Sequence, residues 1–286
     1  MVDVLDDIDA WLLDQDGVLF HGNEPIEGSL DAVALLRAAG KRVAYITNNS
    51  GKTREDVAAR LSSHGVPCTA DEVLTSGHCA AQHLLDNSLR TAFVVGEPGL
   101  KAELRAAGIE CNASPPGELF LDEVAFAALW REPCPQAVVV GLDHTFTMAK
   151  LQRASAFVQR GAVLIGTNPD AGDKCGVGLT PGAGALIAAV EVASDRSAII
   201  VGKPQPAMLL QLLARHGLDA RRVVMVGDRL DTDVRFGNAA GVKTCLVLTG
   251  VATAQDAAAA VGECRPDVVL PSLAHAVKQS LRRSIT

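Results

Sequence analysis

No two cysteines in this chain lie close enough in sequence to clasp a metal or run a thiol–disulfide couple. The seven (Cys68, Cys79, Cys111, Cys134, Cys175, Cys245 and Cys264) are odd in number and scattered, the nearest two being eleven residues apart. There is thus no C-x-x-C unit, and incidental interior thiols are expected. His78, Cys79 and His83 do fall together, but without a second ligand pair they do not make a zinc pattern, and they are read as structural. Long apolar runs are missing too: 137–141 and 198–201 fall far short of the roughly 20 residues a membrane span requires. Basic runs are equally scarce. Lys and Arg number 26 against 33 Asp and Glu, a net charge of −7 with a pI near 5.5, and nothing exceeds the short tail segment at 281–283. Nucleic acid is therefore not an expected partner. The acidic opening MVDVLDDIDAWLL has neither the basic region nor the cleavage site of a leader. The expectation is a soluble, cytosolic protein with no nucleic-acid or membrane partner.

At roughly 150 residues per domain, 286 residues suggest about two structural units, with one large domain as the alternative. Hydrophobic residues make up 48% and charged residues 21%, the usage of a folding chain. At this length about 75% of the unfolded surface can be buried, so packing alone can carry the fold. Short runs rich in Val, Ile and Leu alternate with segments of helical period, which predicts a parallel sheet covered by helices. The predicted strands are 10–13, 42–46, 92–95, 137–140, 163–165, 198–201, 223–226 and 244–248. A helix is predicted over 184–193, where Leu186, Ala189, Val190 and Ala193 share a face. Prolines at 112–116 and 131–135 predict loops and edges. The glycine-rich stretch 168–184 reads as turns and mobile loop. Its part from Gly176 to Gly184 lacks the lysine and hydroxyl ending of a nucleotide cradle. No internal repeat is visible.

Four apolar runs are followed at once by groups suited to phosphate or a divalent cation. AWLL leads into Asp14-Gln15-Asp16-Gly17, VAYI into Thr47-Asn48-Asn49, AIIVG into Lys203, and VVMVG into Asp228, with Asp231 and Asp233 beyond. Ligands of open parallel sheets sit past the carboxyl ends of the strands, so these clusters should converge. Carboxylates pressed together raise one another's pKa unless a cation neutralises them. An oxygen-only donor set suits a hard ion such as Mg²⁺. Asp14, ionised beside that ion, can attack phosphorus and form an aspartyl phosphate. Asp16, two residues on, can protonate the leaving oxygen and later deprotonate water. Lys203, the Thr47 hydroxyl and nearby backbone amides can hold the phosphoryl oxygens. Plainer readings stand beside these. Asp14 and Asp16 could form an Asx-type turn, and Asp228 and Asp233 an N-cap and a solvated helix face. Asp231 reads as a cap or a solvent-facing residue, and Arg229 as either a core ion pair or a site contact. His21 and Asn23 read as surface, and His144 is open.

In order and spacing, DQDGVLF (14–20), TNN (47–49), the lysine of GKPQP (202–206) and GDRLDTD (227–233) resemble the four motifs of the haloacid dehalogenase (HAD) superfamily, across nearly the whole chain. The resemblance implies a doubly wound, Rossmann-like α/β core with an inserted cap. It implies Asp14 as nucleophile and Asp16 as general acid and base, with Thr47 and Asn48 as phosphate positioners. Gly17 and Asn49 join Asn48 as substrate-binding positions, and Lys203 is the stabiliser. Mg²⁺ would be held by Asp14, Asp228 and the Asp16 carbonyl, with Asp233 in support. An aspartate at position 16 implies a phosphatase rather than a dehalogenase or a transport ATPase.

Beyond TNN and the helices that follow it, roughly a hundred residues remain before Lys203, more than a structureless loop. The division expected is core 1–89 and 197–286 with a cap at 90–196. TNNSGKTR (47–54), GLDHTFTMAKL (141–151), GTNPD (166–170), PGAGALIAAVE (181–191) and LTGV (248–251) are similar to the large-cap (C2) branch. That branch includes 4-nitrophenylphosphatases, phosphoglycolate phosphatases and pyridoxal phosphate phosphatases. The stretch 170–180 lacks the aromatic and histidine that the pyridoxal phosphate enzymes carry there. A small anionic phosphomonoester is therefore the expected substrate, phosphoglycolate first, with glycerol phosphate and pyridoxal phosphate as alternatives. Lys174 is either a carboxylate partner or a solvated loop lysine. Family members that pair through the cap make a homodimer an open possibility, as is a phosphate-responsive binding protein without turnover.

Overall fold

The computed structural model describes residues 4–175 and 178–282 and divides them into two compact units. The first comprises the chain up to Thr47, Glu55–Leu74, and the chain from Lys203 onward. Its six-stranded sheet has the order 268–270, 243–247, 223–227, 10–13, 42–47, 73–75. Ala10–Leu13 is paired in parallel with Val223–Gly227 on one side and Arg42–Thr47 on the other. All four of its residues are buried, as a strand covered on both faces demands. Trp11 and Leu13 point into a cluster with Val224, Val226, Cys245 and Val247. Helix Leu273–Leu281 closes that face with Leu273, Ala276, Val277 and Ser280, the i, i+3, i+4, i+7 stripe. The register carries the functional consequence. Leu13 lies level with both Val226 and Tyr45, so the residues that follow each strand emerge at one end of the sheet.

The second unit comprises Asn48–Arg54 and Thr75–Gly202. It holds a five-stranded parallel sheet in the order 199–200, 163–166, 137–140, 91–95, 110–112. Helices Met148–Gln159 and Ala183–Ser194 bury Ala154, Phe157, Val158, Ile187 and Val190 in its core cluster.

Strands 10–13 and 137–140 fall where the sequence predicts them, and the other predicted strands agree to within a residue or two. The glycine-rich stretch 168–184 corrects the expectation of a mobile loop. Gly172–Cys175 and Gly178–Pro181 pair as an antiparallel hairpin, and the following helix begins at Ala183. Backbone pairing tolerates glycine where the hairpin stands alone, and the composition hides it. Three-residue strands at 73–75, 110–112 and 268–270 were not predicted. They are sheet edges, and an edge strand such as Glu-Cys-Asn carries no apolar run.

The GLDHTFTMAKL segment owes its shape to Asp143. This buried carboxylate accepts from Lys150 Nζ at 2.7 Å, Thr145 Oγ1 at 2.7 Å and the Thr145 amide at 2.9 Å. Burial pushes its pKa up, but these donors outweigh it and hold the group below the ordinary 3.8. A depressed carboxylate contributes stability that is complete above the unfolded pKa and is lost as pH falls through the folded one. We expect Asp143→Asn to destabilise the protein by about 1.5–3 kcal/mol at neutral pH, the worth of hydrogen bonds to a charged group. In calorimetry the difference should shrink as pH drops below 4, and a constant difference would contradict the assignment.

Candidate active site

Two strand ends of the first unit, with the turn 230–234 and Lys203, deliver one constellation. Lys203 follows the strand Ile199–Ile200, which pairs in the second unit's sheet rather than beside the strands before Asp14 and Asp228. The Asp14 amide extends the ladder by donating to the Val226 carbonyl at 2.9 Å, which fixes where its side chain leaves the sheet. Asp228 follows the neighbouring strand directly. Asp233 returns on the wide turn 230–234, and its Oδ2 accepts from the amides of Asp228 and Arg229, both at 3.1 Å. Carboxylate oxygens of Asp14, Asp228 and Asp233 lie within 4.8 Å of one another, and all three residues are buried. Lys203 is 2% exposed, and its Nζ reaches Asp14 Oδ1 at 2.7 Å and Asp233 Oδ1 at 2.6 Å.

Three buried acids facing one lysine leave an excess of negative charge, and the titration follows from it. Burial raises the Asp14 pKa well above the usual carboxylate range; Asp233 and Asp228 add to this, while Lys203 opposes. Burial and then Asp233 raise Asp228 to about 7, against the Val251 amide, Lys203 and Arg229. Lys203 is held protonated by Asp14 and Asp233 despite its burial. The donor set contains oxygen only. An uncompensated oxygen cluster of this kind fits a hard divalent cation such as Mg²⁺.

Two glycines make room for Asp228. Gly17 has φ +82°, and a Cβ there would fall 2.5 Å from Asp228 Oδ2. At Gly250 the same oxygen would be 2.0 Å away. Asp16 is the one exposed residue of segment 14–20, while Val18, Leu19 and Phe20 are fully buried beneath it. Thr47 is buried at the end of its strand.

Asn48 and Asn49 belong to the second unit and make their own cluster. Asn48 Nδ2 donates to Asp170 Oδ2 at 3.0 Å, and the Asn48 carbonyl accepts from Ser76 Oγ at 2.5 Å and Asn168 Nδ2 at 2.8 Å. Asn49 is exposed, with its Oδ1 on the Gly51 amide at 2.8 Å.

The remaining candidates fall as follows. Asp231 is exposed and reaches Arg229 at 3.5 Å, while Arg229 also adds its charge to the field at Asp228. Asn23 is exposed. His144 pairs with Glu97 in the second unit. His78 lies 3.6 Å from Glu103 and Cys79 Sγ bonds the Thr75 carbonyl, so neither joins a metal cluster among the described residues. The side chain of Lys174 lies outside the described residues. Val251 has no polar side chain, yet its amide donates to Asp228 Oδ2 at 2.6 Å. Its only signal was membership in the LTGV string, because a backbone donor leaves no trace in residue type. A cavity of about 510 Å³ lined by Asp9, Lys41, Arg42, Asp219 and Arg222 lies at the opposite ends of the strands. Arg222 and Asp9 are already paired there.

Comparison with known proteins agrees with this arrangement. A family model described as haloacid dehalogenase-like hydrolase matches residues 11–110, and a second, HAD-hydrolase-like, matches 200–276. The glycerol-3-phosphate phosphatase of Gallus gallus is 41% identical over 260 residues, covering 88% of this chain and 83% of its own length. The chain belongs to the haloacid dehalogenase-like hydrolases. Within this HAD family, phosphoglycolate phosphatase 2 of Arabidopsis thaliana is 36% identical, covering 96% of this chain and 94% of its own. Among solved structures, a glycerol phosphate phosphatase from Mycobacterium tuberculosis in complex with magnesium superposes with a TM-score of 0.82. It is 32% identical, covering 98% of this chain and 79% of the other. The HAD core thus accounts for Asp14, Lys203, Asp228 and Asp233 meeting at one end of the first sheet.

Proposed function

We propose that this chain, a phosphoric monoester hydrolase of the HAD family, acts on a small anionic phosphomonoester, phosphoglycolate or glycerol phosphate, through a phosphoaspartate on Asp14. The observation that carries the reading is the convergence of three buried carboxylates on one buried lysine. The alternative reading as a binding protein offers no role for an exposed acid two residues from the nucleophile. Similarity to relatives named for both esters supports the substrate class.

In this scheme an Asp14 oxygen attacks phosphorus, and the ester P–O bond breaks as Asp16 gives its proton to the departing alkoxide. Asp16, now a carboxylate, takes a proton from water as the water oxygen attacks phosphorus. The Asp14–P bond breaks, inorganic phosphate leaves, and both acids regain their starting states. Lys203 balances the charge on Asp14 throughout, and Thr47 with Asn48 and Asn49 orients the phosphoryl oxygens. Gly17 allows the backbone to pass close to Asp228. Asp14, Asp228 and the Asp16 carbonyl would hold Mg²⁺, with Asp233 bracing the set. When bound, the ion supplies the positive charge that keeps the acids ionised and draws charge from the phosphoryl group.

The second unit, with residues 90–196 as its body, serves as the cap in this reading. Its exposed Leu119, Phe120, Val124 and Met148 support pairing of two copies in the cytosol, which light scattering at twice 29.8 kDa would check. The deciding experiment measures phosphate release from 4-nitrophenyl phosphate, phosphoglycolate, glycerol phosphate, pyridoxal phosphate and nucleoside monophosphates, with Mg²⁺ or with chelator. We expect multiple turnover only with the metal and the highest kcat/KM on one of the two small esters. Phosphorylation without release would favour the binding reading instead.

A further inference from the structure

The turn that follows the strand Lys243–Val247 contacts the catalytic loop at Gly17 and His21 and the neighbouring loop at Asp228, all within the first unit. Thr249 Oγ1 donates to the Gly17 carbonyl at 2.6 Å. The Thr249 carbonyl receives His21 Nε2 at 2.5 Å. Two residues on, the Val251 amide holds Asp228 Oδ2 and the Ala252 amide holds the Asp228 carbonyl at 3.0 Å. One short turn therefore holds Gly17 and His21, just past Asp16, together with Asp228.

That segment needs such a grip. The Gln15 carbonyl accepts from the amides of Val18, Leu19 and Phe20, and Val18, Leu19 and Phe20 are packed into the core. This fixes the segment beyond Gly17. Gly17 itself has left-handed φ and no side chain, and its backbone packs against Asp228 and Gly250. Its amide is held by the Phe20 carbonyl at 2.8 Å and its carbonyl by Thr249. Asp16 is joined directly to this residue and is exposed. A general acid must meet the leaving oxygen at hydrogen-bond distance, and misplacement of about 1 Å can be worth a hundredfold in rate.

We propose that Thr249 is the positioning residue for Asp16: its hydroxyl locks the Gly17 peptide, and His21 braces it from the far side. The inference rests on Asp16 being the general acid, and its test separates the two. A nitrophenolate leaves without a proton, whereas the alkoxide of phosphoglycolate or glycerol phosphate does not. Loss of aim in the acid should therefore harm alkyl esters selectively. The parameter to read is kcat/KM, which reports the steps up to departure of the leaving group.

For Thr249→Val, which replaces the hydroxyl by a methyl of equal size, kcat/KM on the alkyl ester should fall about 10-fold to 100-fold. On 4-nitrophenyl phosphate it should fall less than about 3-fold. Thr249→Ser, which keeps the hydroxyl, should restore the alkyl ester, and the exposed His21→Ala should show the same selectivity more weakly. Asp16→Asn is the reference and should show it most strongly. If Asp16→Asn harms both substrates equally, the assignment of the acid fails. If it is selective while Thr249→Val harms both equally or neither, the positioning role alone fails. A merely structural threonine would lower the unfolding temperature without separating the two esters.

Discussion

Asp14→Asn is expected to release no measurable phosphate from any ester, a loss of about 10⁴-fold or more in kcat, as when a nucleophile is removed from a catalytic unit. The amide keeps the shape of the carboxylate and its contact with Lys203 through Oδ1, so the site stays assembled and only the nucleophilic oxygen is lost. Stability should not follow activity. Asp14 is buried against Asp228 and Asp233, and burial with their repulsion raises its pKa. A neutral group relieves that repulsion while Lys203 retains Asp233 at 2.6 Å. The metal-free variant should thus unfold within about 1 kcal/mol of the parent, inside the range of a typical net hydrogen bond. Magnesium should raise its melting temperature less than it raises the parent's, because one ligand oxygen has lost its charge. Scanning calorimetry with and without Mg²⁺ reads both quantities. A variant with unchanged phosphate release would remove Asp14 from the mechanism.

The meeting of Asp14 and Asp228 was legible in the sequence because each follows an apolar run at once, and neighbouring parallel strands bring such ends to one edge. Lys203 also follows an apolar run, but its strand Ile199–Ile200 pairs in the second unit's sheet, so only the motif placed it. Asp233 was legible only through the motif. Its burial comes from the wide turn 230–234, which folds it back beneath the Asp228 amide, and no periodicity announces such a turn. Asn48 follows Thr47 in the chain but is held by Ser76, Asn168 and Asp170 of the second unit. Adjacency in sequence does not reveal on which side of a unit boundary a side chain finds its partners. Thr249 and Val251 were hidden for a different reason. They act through a hydroxyl on a backbone carbonyl and through a backbone amide, chemistry that almost any loop possesses and that becomes specific only with distance. The paired strands Gly172–Cys175 and Gly178–Pro181 were hidden by their glycines, whose pairing depends on backbone alone.

Lys203→Met should damage activity and stability together. The lysine is 2% exposed and is the cation between Asp14 and Asp233. Methionine fills much of the same volume, so the loss isolates the charge. Removing one partner of a buried ion pair leaves the other uncompensated and costs about 3–5 kcal/mol. In the metal-free protein that should lower the melting temperature by roughly 10 °C. Catalysis should fall about 10²–10³-fold, the scale of one lost electrostatic donor at a charge-developing centre. The charge origin of the damage is tested by adding Asp233→Asn, which removes a carboxylate that Lys203 no longer balances. The double variant should be more stable than Lys203→Met alone, although each substitution is destabilising in the parent. Contacting residues in one charged network couple by up to about 3 kcal/mol, whereas independent sites add. Strict additivity of the two losses would mean that Lys203 serves packing rather than charge balance, and the stabilising role assigned to it would not stand.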